Sequence, residues 1–167
     1  GDYHVSVMTG TEFSVQVKAE SNLLPYIKTE LSGRTLQIGT VGILSIHHHD
    51  PIEVFITQPE LTGLNLSGSG LIKTGSFTCE NIEIGISGSG VIDAQMNAKL
   101  VNAKVSGSGN IILAGNADTS DFRISGSGKI KTYDLHQEHC QSSISGSGDI
   151  YAHVNQTLHA SISGSGS

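Results

Sequence analysis

Two histidine clusters contain residue types that bind transition metals. The run His47-His48-His49-Asp50 offers imidazoles, while the segment 136–140 offers His136, His139 and Cys140. Consecutive strand residues point to opposite faces, and Pro51 directly follows the first run, so we interpret that run as an exposed loop. No fourth ligand accompanies the second cluster. His47, His49, His136 and His139 are thus the metal-ligand candidates, and we predict neither metal nor cofactor.

Carboxylates are the second group that could do chemistry. Enzymes that cleave acidic polysaccharides need several of them converging, either to hold Ca²⁺ or to serve as acid and base across a glycosidic bond. The acids on irregular segments are Asp118, Asp121, Asp134 and Glu138. Because of these acids, the alternative function is a polysaccharide-active enzyme of the pectate lyase or polygalacturonase kind.

A tetrapeptide repeat must provide the elements that position these residues. Ser-Gly-Ser-Gly starts at Ser67, Ser87, Ser106, Ser125, Ser145 and Ser163, with spacings of 18 to 20 residues. Each copy follows an apolar residue, and in the five complete copies Ile is the second residue after the motif. Such regularity indicates a solenoid, in which each repeat buries its apolar side only against its neighbours.

Apolar and polar residues alternate on both sides of each motif, which is typical of strands. Ile82, Ile84 and Ile86 share one face with the motif glycines, while Glu83 shares the other with the serines. We therefore predict an all-β fold, a right-handed parallel β-helix built as a single-stranded β-solenoid with about 19–20 residues per coil. Polar segments such as Gln95-Met96-Asn97 are predicted to be turns between strands.

The chain is predicted to form a single β-helix domain over residues 1–167, with regular coils at 61–167 and irregular N-terminal coils or a β cap at 1–60. The N-terminal part contains four strand-like segments, at 3–8, 12–19, 34–39 and 52–57.

The two cysteines, Cys79 and Cys140, lie about three coils apart in this register. That separation is roughly 14 Å at about 4.8 Å per strand, too far for a disulfide. We predict two free thiols.

The motif serines form two outward ladders if the glycines point inward. The ladder residues are Ser67, Ser69, Ser87, Ser89, Ser106, Ser108, Ser125, Ser127, Ser145 and Ser147. One interpretation is a repeated corner, where Gly avoids a collision inside a narrow tube. The other is a ligand-binding ladder, and these serines are our candidate binding residues.

Aligned columns of the coils test whether the regular face could be catalytic. One column holds Leu71, Val91, Asn110, Lys129 and Asp149; another holds Lys73, Asp93, Ile112, Lys131 and Tyr151. We find no two acids in adjacent coils of one column, and Lys73/Asp93 and Lys129/Asp149 are predicted surface ion pairs. The prediction is a protein that is not an enzyme.

Composition excludes some partners. The net charge is −6 and basic residues occur only as scattered singles, so a nucleic acid is not an expected partner. No apolar stretch reaches the roughly 18 to 20 residues of a membrane span, and no signal peptide is recognised in the chain.

The repeats and their lead resemble the putative auto-transporter adhesin, head GIN domain family. The resemblance is carried by the apolar-SGSG-x-Ile coils, by Arg34-Thr35-Leu36-Gln37-Ile38, and by the strand-rich lead from Ile52 to Leu61. It implies an exported β-helical domain of Bacteroides-like bacteria, often carried behind a signal or lipoprotein segment, and brings no catalytic residues.

From these observations we predict an exported binding or structural module of the cell envelope, periplasmic or extracellular. Its partner is expected to be a glycan or a protein at the cell surface. The last coil, 163–167, is expected to present unpaired backbone and apolar core, which a second copy of the chain could cover.

Overall fold

The computed structural model describes residues 3–42 and 51–167. Eleven strands are formed in these ranges: β1 Tyr3–Thr9, β2 Ser14–Lys18, β3 Ile27–Ser32, β4 Thr35–Thr40, β5 Ile52–Gln58, β6 Gly63–Gly68, β7 Leu71–Gly88, β8 Val91–Gly107, β9 Asn110–Gly126, β10 Lys129–Gly146 and β11 Asp149–Gly164. One 3₁₀ turn, Leu24–Tyr26, precedes β3. No helix in the described ranges is long and apolar enough to cross a membrane. His47 and His49 lie outside the described residues.

Strands β7 to β11 are stacked in parallel, one strand per coil, and β6 extends the stack below part of β7. The register pairs Leu71 with Val91, Val91 with Asn110, Asn110 with Lys129 and Lys129 with Asp149. Successive coils are therefore 20, 19, 19 and 20 residues long. The predicted β-solenoid and its coil length are confirmed.

The segment Gln95-Met96-Asn97 is strand and not the predicted turn. It lies within β8, where Met96 is fully buried and pairs with Phe77 in the previous coil and Gly115 in the next. Coils bend through irregularities within long strands, as between Lys73 and Ser76, rather than through separate turns. Gln95 and Asn97 are polar because they lie on the solvent-exposed face of the strand, and not because the chain turns there.

The motif glycines occupy a corner that other residues cannot form. The first glycine of each motif has a positive φ, for example +123° at Gly107 and +129° at Gly126, a region that L residues with a side chain rarely adopt. The second is buried: a Cβ on Gly109 would lie 2.5 Å from Ile86 Cγ2 and 2.8 Å from the Gly90 carbonyl oxygen. The motif serines are exposed and the second glycine is buried, as expected, but the first glycine is not inside the tube: it is exposed or half-buried, and a Cβ on Gly107 would meet the backbone of the previous coil at Gly88.

The N-terminal part extends the sheet without repeating the coil. Strand β1 lies between β5 and β7 and is parallel to both, while β2 pairs with β5 in antiparallel fashion. Strands β3 and β4 form a separate antiparallel hairpin. The four predicted strand segments correspond to β1, β2, β4 and β5, whereas β3 was not predicted because its mostly exposed residues lack a clear apolar face.

The core is one continuous apolar cluster inside the coils. Ile92, Ile111 and Ile130 occupy equivalent positions and are completely buried. Both cysteines are free thiols, as predicted, and they lie in different columns of the stack.

Candidate functional site

The two serine ladders run along one corner of the solenoid. The first-position serines are aligned from Ser67 through Ser87 and onward to Ser163. The backbone N–H of the third-position serine holds the corner, as when Ser108 N donates to the Gly88 carbonyl oxygen at 2.9 Å. The ten candidate serines are all exposed. Their hydroxyls thus form two polar rows, and a binding role for them stays a prediction.

A broad groove crosses the middle of the coils, away from the serine corner, and encloses about 1130 Å³. Its lining residues come from the segment before β6 and from β7, β8 and β9, and most are polar: Glu60, Leu61, Thr62, Thr78, Cys79, Glu80, Asn81, Glu83, Asn97, Ala98, Lys99, Leu100, Asn102, Asn116 and Asp118. Of these residues, only Asp118 was a candidate site residue in the sequence.

An asparagine column lies in this groove. Thr78, Asn97 and Asn116 are aligned in successive coils, and Asn116 Nδ2 donates to Asn97 Oδ1 at 2.7 Å. An amide side chain has both donors and acceptors, so Asn97 Nδ2 and Asn116 Oδ1 are left to bind a ligand. The sequence does carry a signal for this column, because Asn97 and Asn116 both lie ten residues after the start of the preceding motif.

A charged column lies beside the asparagines. Lys99 Nζ is 2.6 Å from Glu80 Oε1, and both side chains are exposed. Their hydrogen bond raises the pKa of Lys99 and lowers that of Glu80, and Asp118 in the next coil also raises the pKa of Lys99. With Glu60 and Glu83 added, carboxylates outnumber the cation along the groove. The groove is therefore polar and acidic.

One column does place two acids in adjacent coils, which corrects the expectation drawn from the sequence. Ala117 pairs with Gln137, so the residues that follow them, Asp118 and Glu138, are aligned. This column lies further along the coil than the two columns that directly follow the motif, which hold no such pair. Glu138 accepts hydrogen bonds from Asn155, at 3.3 Å, and from Gln156.

The other two candidate carboxylates lie elsewhere. Asp121 forms an ion pair with Arg123 at 2.7 Å, two residues along the same strand. Asp134 pairs with Ala114 beyond a register shift in β10. The four acids proposed for an enzyme are thus not brought to one place.

The predicted surface ion pairs are confirmed. Lys73 Nζ lies 3.7 Å from Asp93 Oδ2, and Lys129 Nζ lies 3.3 Å from Asp149 Oδ2. Hydrogen bonds from Ser167 and Lys129 lower the pKa of Asp149.

The second histidine cluster is divided between the two faces of β10. His136 is exposed and contacts His153, with ring centroids 6.0 Å apart, and His139 is also exposed. Cys140 points inward, and burial raises the pKa of its thiol to about 11. The described residues contain no group of three or more His, Cys, Asp or Glu side chains placed to hold a metal ion.

Comparison with known proteins matches the whole chain to one family. The family model described as "Putative auto-transporter adhesin, head GIN domain" matches residues 1–167. No curated protein matches the sequence.

Solved structures share the fold. A putative adhesin from Bacteroides fragilis superimposes with a TM-score of 0.86 at 19% identity, covering 99% of this chain and 87% of that one. A putative lipid binding protein from Parabacteroides distasonis gives 0.73 at 22% identity, covering 100% and 88%. A putative adhesin from Parabacteroides merdae gives 0.68 at 17% identity, covering 100% and 87%.

Proposed function

Because the chain belongs to the family of the putative auto-transporter adhesin, head GIN domain, we propose that it is a non-catalytic, exported binding module. In this proposal it acts at the cell envelope or outside the cell, and the stacked coils present an extended surface to a glycan or protein partner. The observation that carries the proposal is the polar groove across β7, β8 and β9.

The groove suits a sugar chain because of the groups that line it. Thr62, Thr78 and the asparagines at 81, 97, 102 and 116 present hydroxyl and amide groups, which can both donate to and accept from sugar hydroxyls. Thr78, Asn97 and Asn116 follow one another at the strand spacing of about 4.8 Å in three successive coils. A repetitive polymer can therefore make similar contacts with successive coils.

The charge of the groove narrows the class of glycan. Glu60, Glu80, Glu83 and Asp118 face the groove with Lys99 as the cation among its lining residues. A polyanion would be repelled by this field, so the proposed ligand is a neutral or amino-sugar polymer. The described lining residues include no aromatic ring, so affinity is expected to come from many hydrogen bonds and to rise with polymer length.

Binding to a panel of neutral, amino-sugar and uronate polymers tests this proposal. The double variant Asn97→Ala/Asn116→Ala should weaken binding about tenfold, since each lost hydrogen bond contributes about 0.5–1.5 kcal/mol. Asn110→Ala, on the same coils but outside the groove, is the matched control and should bind like the parent.

The serine ladder is tested in the same experiment through Ser87→Ala/Ser106→Ala. Loss of binding in this variant, with unchanged binding in the asparagine variant, would move the site to the serine corner. If no glycan or surface protein binds the parent chain, the binding function itself is wrong.

A polysaccharide-active enzyme is the second candidate, and the aligned pair Asp118 and Glu138 is the observation that favours it. Turnover of a uronate polymer that is lost in Asp118→Asn would establish it. Asp121→Asn serves as the control, because Asp121 is paired with Arg123 and not with the other acids.

The last strand suggests contact with a second copy of the chain. In the described residues β11 pairs on one side, with β10, and its Leu158 and Ile162 are 54% and 51% exposed. An exposed strand edge of this kind can pair with another chain. Light scattering should show that the parent chain self-associates and that Ile162→Glu reduces this self-association. A parent chain that stays monomeric at high concentration would exclude contact with a second copy.

A further inference from the structure

A second cavity, of about 510 Å³, lies between the hairpin β3–β4 and the first coil of the solenoid. Its apolar floor is formed by β1, β5, β6 and β7, and its outer wall by β4. The apolar lining residues are Val5, Val7, Leu36, Ile38, Ile56, Leu61, Leu64, Leu66 and Ile72. In volume and lining it resembles small-molecule sites, which have about 300–1,000 Å³ and mostly apolar walls.

The sheet topology explains why the core is open here. On one side of the tube, β5 pairs with β1, and the wall that these two strands form extends beyond the first coil. Among the described strands, β6 pairs only with β7, and no coil continues the opposite wall. The space below β6 is bordered instead by Leu36 and Ile38 of β4, which are only half-buried.

Two columns of the core are slightly more exposed to solvent at this end than in the coils above. Ile72 retains 7% exposure, whereas its equivalents Ile92 and Ile111 retain none. Leu66 retains 9%, whereas Ile86 retains 2%. The residues are of similar size, and among the described strands none pairs with β6 on its lower side, which agrees with the greater exposure.

The polar groups at the rim carry no net charge. Arg34 and Glu60 form an exposed pair at 3.7 Å, and the uncharged side chains of Gln37 and Gln58 also line the cavity. Tyr3 Oη and Thr40 Oγ1, 2.5 Å apart, join the hairpin to β1 beside it. Because the two rim charges are already paired with each other, the rim offers no free counter-charge to a charged head group and suits an uncharged polar one.

We propose that this cavity binds a single-chain lipid with an uncharged polar head, of the monoacylglycerol class. The acyl chain lies against the leucine and valine side chains of the floor. The head group lies at the rim and exchanges hydrogen bonds with the amides of Gln37 and Gln58. The cavity shares Glu60, Leu61 and Thr62 with the polar groove, but the proposal does not rest on the function of the groove.

Displacement of the neutral fluorescent probe N-phenyl-1-naphthylamine by octanoyl, decanoyl and dodecanoyl glycerol, each below its micellar concentration, tests the proposal. Each buried methylene contributes about 0.8 kcal/mol, or about fourfold in affinity. Neighbouring glycerides in this series differ by two methylenes, so the affinity should rise about fifteenfold from one to the next. Free glycerol should not displace the probe, and dodecanoate should bind more weakly than dodecanoyl glycerol.

Variants locate the binding site. Leu36→Glu places a charge in the wall, and Ile38→Trp fills the space without a charge; each should weaken binding at least tenfold. Leu31→Glu is the matched control, because Leu31 pairs with Leu36 in the same hairpin but is 60% exposed and does not line the cavity. Its affinity should stay within about twofold of the parent.

Several results would overturn the proposal. They are a parent chain that gives no displaceable probe signal, affinity independent of chain length, and unchanged binding in both Leu36→Glu and Ile38→Trp. Binding that is lost instead in Ile162→Glu would place the lipid on the exposed apolar edge of β11. Dodecanoate binding more tightly than the glyceride would exclude the uncharged head group.

Discussion

The regular coils and the N-terminal hairpin are both built from β-strands, but they are stabilised in different ways. Each coil strand β7–β10 has a neighbour on both sides and an interior that is almost free of exposure. The hairpin β3–β4 pairs only with itself among the described strands, and its half-buried residues face a cavity. Stacking therefore produces a rigid scaffold, whereas the end of the stack leaves space that a ligand can enter.

Truncation of a core side chain should give the largest difference between the two regions. Ile111→Ala removes a fully buried side chain between Ile92 and Ile130, and we expect a loss of about 4 kcal/mol in the free energy of unfolding. Leu36→Ala in the hairpin should cost about 1 kcal/mol, because part of that side chain is already solvated. Urea unfolding measures both, and equal losses would mean that the hairpin belongs to the same tight core.

Glycine substitutions sharpen the comparison because both regions contain a glycine with positive φ. Gly126 has φ +129°, and a Cβ there would lie 2.5 Å from the Gly107 carbonyl oxygen. Gly126→Ala should destabilise by about 3 kcal/mol, from strain and overlap together.

Gly33, in the hairpin turn, has φ +61° and open space around it. Gly33→Ala should cost only about 1 kcal/mol. Gly75→Ala, with open space and no positive φ, is the control and should be nearly neutral. A small effect at Gly126 would show that coils can separate at the corner.

The buried thiol gives the coils a dependence on pH. Burial raises the pKa of Cys140 from 9.0 to about 11. The unfolded thiol ionises first as the pH rises, so the stabilisation is complete below pH 9 and is lost between pH 9 and about 11. Two pKa units correspond to about 2.7 kcal/mol.

The measured quantity is the difference in unfolding free energy between the parent and Cys140→Ala across this range. Lysine and tyrosine titration affects the stability of both proteins equally, so it cancels in this difference. A difference that does not change with pH would show that Cys140 is accessible to water in the folded coil.

Removal of the Ser120 hydroxyl is expected to raise the stability of the fold slightly, unlike the substitutions above. Its hydroxyl oxygen is fully buried and has no hydrogen-bond partner within the described structure. Ser120→Ala should stabilise the coils by about 1 kcal/mol, because an unsatisfied buried polar group is removed. Ser143→Ala, on an exposed position of β10, should have no effect. Thermal unfolding separates the two, and a destabilised Ser120→Ala would indicate a partner for the hydroxyl.

Most of the coil fold could be predicted from the sequence, since one period fixes the register, the buried face and the glycine corner. Ile111 and Gly107 could be placed in this way because each repeat supplies the same evidence again. Strand β3 could not, because the hairpin occurs once and Leu31 is exposed although it is apolar.

The site was harder to predict than the fold. The serines were predicted as binding residues because they recur in every coil. The groove depends instead on Asn97, Asn116 and Lys99, at positions where the residue type changes from coil to coil. Their alignment could be read from the period, but their position in a groove depends on how the long strands bend, as at the irregularity between Lys73 and Ser76. No sequence period shows that curvature.

Hydrogen exchange of the backbone amides, with and without a bound neutral glycan, tests the central claim most directly. We predict added protection at 78–83, 97–102 and 116–118, which line the groove, and unchanged exchange at the serine corner 87–90 and 106–109. Protection confined to the serine corner, with none in the groove, would contradict it.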